Sequence, residues 1–418
     1  MGIGYACLTV GVPNTDYKRC MLKNAEEERL LALIQYNLNS LDHVIEYNRE
    51  NHINLFRISS DLIAFGSSPA NRLPWWDIFD STFQSIGKKI KDAHMRVSMH
   101  PGQYTVLNSN RNEVVQKAID DLHYHAKVLD CLGLSKEHKI VLHIGGIYNN
   151  KKEAMERFVA NYGELDKTIK QRLVIENDDK CYTIGEVLDI GIRLKIPVVY
   201  DNLHNKINPV DKEKDDYDWI DQCKETWGQG DGQQKIHYAQ QALGKNPGAH
   251  SDTIDIHEFI GFYSRLSCKD IDIMLEVKDK NLSAIKCIHC TQKEKKIQQL
   301  EKEWGRYKYK VLENSASDYI AIRNLLNDKN SYPAIDFYGL IEGALKKKES
   351  TGSALNAVLH IWGYFKNSST EAEKKKFSKI IEEYKQGKAQ LKTVKNYLWK
   401  MAIKYDQSYL LESYYFLL

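Results

Sequence analysis

A short apolar or β-branched run followed by a long amphipathic stretch occurs eight times between residue 3 and about residue 300, and this alternation constrains the fold most strongly. Strands that alternate with helices are joined by crossovers and pair in parallel. Eight such units close most simply into an α/β fold, the TIM (β/α)8 barrel, whose active site lies where the strands end. The predicted strands are Ile3–Val10, Leu55–Ser59, Arg96–His100, Lys139–His143, Arg172–Glu176, Pro197–Asp201, Lys235–Ala239 and Ile271–Val277.

Helical periodicity fills most of the intervals between these strands. Residues 202–234 are less regular, and we expect a long loop there with one short helix around Asp215–Glu225. The predicted helices are Asn24–Arg49, Trp76–Ala93, Asn112–Leu132, Lys151–Ile169, Ile184–Leu194, Thr253–Leu266 and Leu282–Glu303.

The alternation stops near residue 300, and the remaining sequence is helical throughout. We therefore predict a barrel domain over residues 1–299 and a small all-α domain over residues 300–418, with helices at Glu371–Lys388 and Leu391–Lys404. Residues 281–418 carry 24 basic and 15 acidic side chains, whereas carboxylates are in excess over the rest of the chain. A basic appendage suits a polyanionic partner, and a solvated lysine-rich surface explains it equally well.

The chain has the features of a cytoplasmic protein. No apolar run approaches the roughly 18 residues that span a bilayer, and the first ten residues do not form a signal peptide. The eight cysteines are scattered, which favours reduced thiols, and the single pair Cys287 and Cys290 lacks the second pair of a structural zinc site. We expect no membrane association and a monomer.

Residues of the types that commonly bind metals stand at or just after the ends of most of the later predicted strands. Each histidine taken alone is usually a satisfied polar residue, but three carboxylates and five imidazoles buried together in one barrel mouth call for cations. Nitrogen and oxygen ligands without thiolate indicate Mn, Zn or Mg, and several such ions suit hydrolysis of a phosphate ester. These candidate metal ligands are His100, His143, Glu176, Asp201, His204, His237, His250 and Glu276.

Eight ordered strings, spread over about two thirds of the chain, together resemble the UV damage endonuclease family. The related endonuclease IV and xylose isomerase families share the fold and the use of metals, but are not expected to combine the MHPGQY and KIHYAQ strings. The strings are RISSD, MHPGQYTVLNS, VLHIGG, ENDDK, YDNLH, KIHYAQ, GAHSD and MLEVKDKN.

The resemblance implies up to three divalent ions, with Mn expected and Zn or Mg open, on the eight ligands named above. It implies catalytic roles for Glu176, Glu276, Lys235 and His143, with Lys235 carboxylated. It also implies DNA contacts, in which Gln103 and Tyr104 wedge into the duplex.

The sequence departs from the family in three places. The loop that begins at Tyr5, also a predicted DNA contact, is otherwise divergent over residues 6–9. Asn205 stands where relatives often have His. The tail lies outside the core family pattern and resembles a small helical module of unknown function.

The leading hypothesis is an endonuclease that cuts damaged double-stranded DNA immediately 5′ to a UV photoproduct, leaves a 3′-hydroxyl and flips the damaged dinucleotide out. Two alternatives remain open at this point. One is a metal-dependent sugar isomerase with a small closed pocket, and the other is a catalytically inactive damage-binding module.

Overall fold

The computed structural model describes residues 1–210 and 214–418. Its eight parallel strands form a closed barrel in which each strand pairs with the next and β8 pairs with β1, so the predicted TIM barrel is confirmed. The strands are β1 (Ile3–Ala6), β2 (Leu55–Ile58), β3 (Arg96–Met99), β4 (Lys139–His143), β5 (Leu173–Glu176), β6 (Val198–Asp201), β7 (Lys235–Tyr238) and β8 (Asp272–Leu275).

Most strands are shorter than their apolar runs. β1 ends at Ala6 rather than Val10, because Cys7 has a φ of 68°, which takes the backbone out of the extended conformation. β1 and β2 also approach each other closely at Gly4, where a Cβ atom would lie 1.7 Å from the carbonyl oxygen of Leu55. Only glycine fits at this position.

The intervals between strands are helical, as predicted, but three long predicted helices are each interrupted. Phe79 separates α2 from α3, residues 164–166 separate α5 from α6, and residues 292–296 follow α11. The helices are α1 (Glu27–Glu50), α2 (Trp75–Ile78), α3 (Asp80–Asp92), α4 (Asn112–Cys131), α5 (Lys151–Gly163), α6 (Lys167–Lys170), α7 (Ile184–Leu194), α8 (Asn202–Ile207), α9 (Asp216–Lys224), α10 (Ile256–Arg265) and α11 (Asn281–Thr291).

Local sequence explains how the chain reaches the end of β6. Thr183 and Glu186 form a capping box at the start of α7, and Lys195 ends that helix in the left-handed conformation, with a φ of 56°. The buried residues of β6 follow directly, and Asp201 then caps α8 by accepting a hydrogen bond from the backbone N–H of His204 at 2.8 Å. Two predicted ligands are thereby held one helical turn apart.

The chain divides into two compact units, one of residues 1–254 and 258–288 and the other of residues 255–257 and 289–418. The domain boundary at residue 299 stays a prediction. None of the described helices is long and apolar enough to cross a membrane. The second unit contains α12 (Ile297–Asn314), α13 (Ala316–Leu325), α14 (Ala334–Leu345), α15 (Thr351–Trp362), α16 (Glu371–Lys385), α17 (Leu391–Lys404) and α18 (Ser408–Leu411).

The second unit has a hydrophobic core of its own. Val358 and Ile361 of α15 pack with Leu398 of α17, and all three side chains are fully buried. The predicted all-α region is therefore confirmed.

Candidate metal centre at the carboxyl ends of the strands

The predicted metal ligands lie at the carboxyl ends of strands β3 to β8 or in the segments that follow them. His143, Glu176 and Asp201 are the last residues of β4, β5 and β6, and His100 and Glu276 immediately follow β3 and β8. In a parallel barrel these ends share one rim, so residues far apart in sequence meet there.

Glu176 lies at the centre of the cluster, with a side chain that is 1% exposed. Its Oε2 atom lies 3.1 Å from Nε2 of His100 and 3.7 Å from Nε2 of His143. Its Oε1 atom lies 2.7 Å from Nδ1 of His237 and 3.8 Å from Nδ1 of His204. One buried carboxylate thus joins four imidazoles.

Two groups of ligand atoms are compact enough to hold a metal ion, and both include Glu176. His100, His143 and Glu176 form the first group, and Glu176, Asp201 and His237 form the second, with the ligand atoms of each group within 4.8 Å of one another. The Glu176 carboxylate is therefore common to both candidate groups.

Several buried polar atoms of the cluster have no hydrogen-bond partner in the described part of the chain: Oδ2 of Asp201, Nε2 of His237 and Nδ1 of His143. A buried polar atom without a partner normally costs about 1–3 kcal/mol. A bound cation would satisfy such atoms, and their residue types are those that divalent metals prefer. The residues present therefore fit a metal site.

Glu276 lies at the same rim, next to His237 and His250. Its Oε1 atom lies 3.4 Å from Nδ1 of His237, and its Oε2 atom lies 3.7 Å from Nε2 of His250. Arg57 of β2 donates a hydrogen bond to Oε1 at 2.5 Å. Sequence reasoning missed Arg57, although it opens the RISSD string, because its partner Glu276 lies 219 positions away in the sequence.

Backbone carbonyl oxygens contact two of the imidazoles. Nδ1 of His100 lies 3.0 Å from the carbonyl oxygen of Pro101. Nδ1 of His204 lies 2.9 Å from the carbonyl oxygen of Asn177. Partners of this kind orient a histidine and fix which ring nitrogen is free to bind a metal.

The pKa values of the cluster reflect its burial and close charges. Burial raises the pKa of Glu176, but His237 and His143 outweigh this effect and hold it well below the usual value. Burial lowers the pKa of His143 to about 4 against the opposing charge of Glu176. Burial would lower the pKa of His204 too, yet Asp201 and Glu176 raise it to about 9.

Lys235 begins β7 and is fully buried, and its Nζ atom has no hydrogen-bond partner within the described residues. Burial and the charge of Arg96 hold the pKa of Lys235 well below its usual value. Burial thus favours the uncharged form of this amine.

Gln103 and Tyr104 lie in the loop after β3, and both side chains are exposed, with Tyr104 71% accessible. Tyr104 borders a cavity of about 340 Å³ that Lys18, Arg19 and Asp61 also line. This loop therefore presents both side chains at the protein surface.

The prediction that Tyr5 contacts DNA is corrected by its position. The Tyr5 side chain is fully buried, and its hydroxyl donates to Oδ1 of Asn48 at 2.8 Å and lies 2.8 Å from Oγ1 of Thr9. A side chain without accessible surface offers no atom to a duplex. Tyr5 instead joins β1 to α1.

The fold and the site together define a TIM barrel with a buried imidazole and carboxylate cluster at its active-site face. Comparison with known proteins gives the particular family. The model of the UV-endonuclease UvdE family matches residues 3–308, and a model for a protein of unknown function, DUF1722, matches residues 308–418. The chain belongs to the UV-endonuclease UvdE family and is an endonuclease, as its motifs predict.

Individual relatives agree with the family assignment. A UV DNA damage endonuclease of Clostridium perfringens (strain 13 / Type A) is 36% identical over 411 residues, which cover 97% of each chain. A UV DNA damage endonuclease of Bacillus cereus (strain Q1) is 34% identical over 270 residues, covering 64% of this chain and 84% of the relative. The solved structure of SacUVDE is 39% identical, with a TM-score of 0.66, and covers 69% of this chain and 97% of its own.

Proposed function

We propose that the protein is a metal-dependent DNA repair endonuclease that cleaves the phosphodiester immediately 5′ to a UV photoproduct in double-stranded DNA and leaves a 3′-hydroxyl. The observation that carries this proposal is the buried cluster around Glu176, whose unpaired atoms on Asp201, His237 and His143 call for cations. Up to three divalent ions, with Mn expected and Zn or Mg as alternatives, would bind to the eight predicted ligands.

Bound metal ions would supply a hydroxide nucleophile and stabilise the leaving oxygen. The chain contributes the positioning. Glu176 fixes His100 and His237 through its two oxygens, and Glu276 is held by Arg57 at 2.5 Å. Such preorganised charge lets a site act without rearranging during the reaction.

Lys235 is proposed to carry a carbamate. Its amine has no hydrogen-bond partner within the described residues, and burial favours its uncharged form. The uncharged nitrogen would add to the carbon of CO2 and release one N–H proton, which leaves a carboxylate on the nitrogen. The added mass of one CO2 in the intact protein at neutral pH would support this modification. The same mass on Lys235→Met would place it elsewhere.

Gln103 and Tyr104 are proposed to enter the duplex where the damaged dinucleotide flips out. Both are exposed at the rim that carries the cluster. An amide can replace lost hydrogen bonds, and an aromatic ring can replace lost stacking.

A 5′-labelled duplex with one photoproduct tests the cleavage position. With Mn²⁺ present, we expect a single labelled product that ends next to the lesion and that a DNA polymerase can extend. Cleavage on the 3′ side, or a product that cannot be extended, would contradict the proposal. Metal binding and selective affinity for damaged duplex without nicking would instead favour an inactive damage-binding protein.

A further inference from the structure

Four residues of the second unit form a cluster at its surface, which we call the tyrosine platform: Lys308, Tyr309, Tyr364 and Tyr409. The rings of Tyr364 and Tyr409 lie nearly parallel, with centroids 6.0 Å apart and an interplanar angle of 16°. Tyr364 is 37% exposed and Tyr409 40% exposed. The residues come from α12, the turn after α15, and α18, so the fold of the unit assembles the platform.

The hydroxyl groups of the two exposed rings bind protein rather than pointing freely into water. The Tyr364 hydroxyl lies 2.8 Å from that of Tyr309, and the Tyr409 hydroxyl donates to the carbonyl oxygen of Gly305 at 3.1 Å. A surface tyrosine commonly buries its ring and hydrates its hydroxyl. Here the polar ends are anchored to protein, while about two fifths of each residue's surface stays exposed.

The backbone of α12 is adapted to this arrangement at Gly305. A Cβ atom at that position would lie 3.2 Å from the Tyr409 hydroxyl, closer than an ordinary van der Waals contact. Glycine thus lets the hydroxyl reach the helix backbone.

Lys308 places an uncompensated positive charge beside the rings. Its Nζ atom lies 4.7 Å from the ring centroids of both Tyr309 and Tyr409, and no carboxylate in the described part of the chain lies within ion-pair distance of it. The neighbouring cations of α12 differ in this respect, since Arg306 pairs with Glu303 and Lys310 pairs with Glu313, each at 2.6 Å.

We propose that the tyrosine platform binds single-stranded nucleic acid, with unpaired bases stacking on Tyr364 and Tyr409 and a phosphate meeting Lys308. Ring faces recognise every base, and a nearby cation recognises the backbone, which is how proteins hold single strands without sequence preference. An intact duplex keeps its base faces covered, and an acidic peptide would engage the lysine alone. The excess of 24 basic over 15 acidic side chains in residues 281–418 fits a polyanion. This activity goes beyond the proposed cleavage and does not depend on the metal centre.

The test measures binding of the full-length protein to a labelled, undamaged oligothymidylate of about 12 nucleotides by fluorescence anisotropy. The double variant Tyr364→Ala/Tyr409→Ala should bind more weakly by roughly 5- to 150-fold for each base that no longer stacks. Lys308→Gln should reduce the salt dependence by about 0.7 in the log-log slope if Lys308 neutralises one phosphate. The matched control, Tyr364→Phe/Tyr409→Phe, keeps both rings and should retain most of the affinity.

Nicking of UV-irradiated plasmid at low salt separates this proposal from the proposed function. The alanine variant should nick as the unaltered protein does, because the platform lies outside the barrel unit. Undiminished oligonucleotide binding by that variant would overturn the proposal whether or not nicking is observed.

A second measurement needs no variant and therefore does not depend on variant folding. An oligonucleotide with 5-bromodeoxyuridine is photocrosslinked to the unaltered protein, and the modified peptides are sequenced by mass spectrometry. Crosslinks at Tyr364 or Tyr409 support the platform. Crosslinks confined to the barrel rim, equal competition by undamaged duplex, or equal competition by a polyglutamate peptide would overturn it.

Discussion

Replacing Glu176 with Gln should remove metal binding and nicking while leaving the barrel folded. The substitution preserves the shape of the side chain but removes its charge, and both compact ligand groups include this residue. Oε1 of Glu176 lies 2.7 Å from Nδ1 of His237, and Oε2 lies 3.1 Å from Nε2 of His100. The loss of charge therefore affects both ligand groups.

The size of the effect follows from the position of Glu176. Loss of an outer partner of a metal ligand typically costs about 10- to 100-fold in affinity or activity. Glu176 is a ligand candidate in both groups, so we expect nicking to fall by more than about 100-fold. In the unaltered protein, Mn²⁺ at about 100 times its dissociation constant should add about 2.7 kcal/mol of stability. At about 2–4 °C per kcal/mol, this corresponds to roughly 5–10 °C in Tm.

The assay compares Tm with and without Mn²⁺ together with nicking of UV-irradiated plasmid. Glu113→Gln is the matched control, since it removes the same charge from an exposed side chain of α4, which pairs with Arg111. Glu176→Gln should lose most of the Mn²⁺-induced rise in Tm, whereas Glu113→Gln should keep it. A full rise in Tm and nicking within about twofold of normal in Glu176→Gln would refute the assignment of this residue to the metal centre.

Three further predictions address other parts of the structure. Replacing Gln103 and Tyr104 with Ala should lower the preference for damaged over undamaged duplex by about 1–3 kcal/mol per unstacked base; an unchanged ratio of affinities would exclude the wedge. His138 is buried, and its Nδ1 atom accepts a hydrogen bond from the backbone N–H of Val97. Burial lowers the pKa of His138 to about 3. Between about pH 6.5 and pH 3 the unfolded chain therefore binds a proton at this residue that the folded chain does not. Urea unfolding should therefore show stability falling as the pH falls, by up to about 1.4 kcal/mol per pH unit from this group, and His138→Gln should reduce the dependence. A chain ending at residue 299 should still nick damaged DNA at low salt. Its log binding constant should fall less steeply with log salt concentration, by about 0.9 in slope for each phosphate that the tail neutralises. Equal slopes for the shortened and full-length chains would show that the tail lysines are only a solvated surface.

The barrel was predictable because its signal is both local and repeated. Each strand is a short apolar run, and each run is followed by a helical period, so eight weak indications agree. The same regularity predicted where polar residues would meet, since the ends of parallel strands share one rim. His143, Glu176 and Asp201, which end β4, β5 and β6, illustrate this directly.

Features that depend on the three-dimensional arrangement were harder to predict. Helix α8 is only six residues long and lies in a segment that we expected to be a loop, although Asp201 is a standard N-cap residue and gave a usable signal. The burial of Tyr5 depends on Asn48, which approaches it from α1 across 43 residues of sequence. Neither periodicity nor the family resemblance reports such a contact.

Arg57 contacts the site but lies inside a strand, so the pattern of polar residues at strand ends does not identify it. It lies within β2 among apolar residues, and only closure of the barrel brings it to Glu276, 219 positions away. Because its guanidinium binds Oε1 of Glu276 at 2.5 Å, the carboxylate is held in place before any cation arrives. The other carboxylate oxygen of Glu276, Oε2, lies 3.7 Å from Nε2 of His250. Arg57 thus offsets one buried negative charge and presents the second oxygen of Glu276 to the rim, so that this part of the site is preorganised for cation binding.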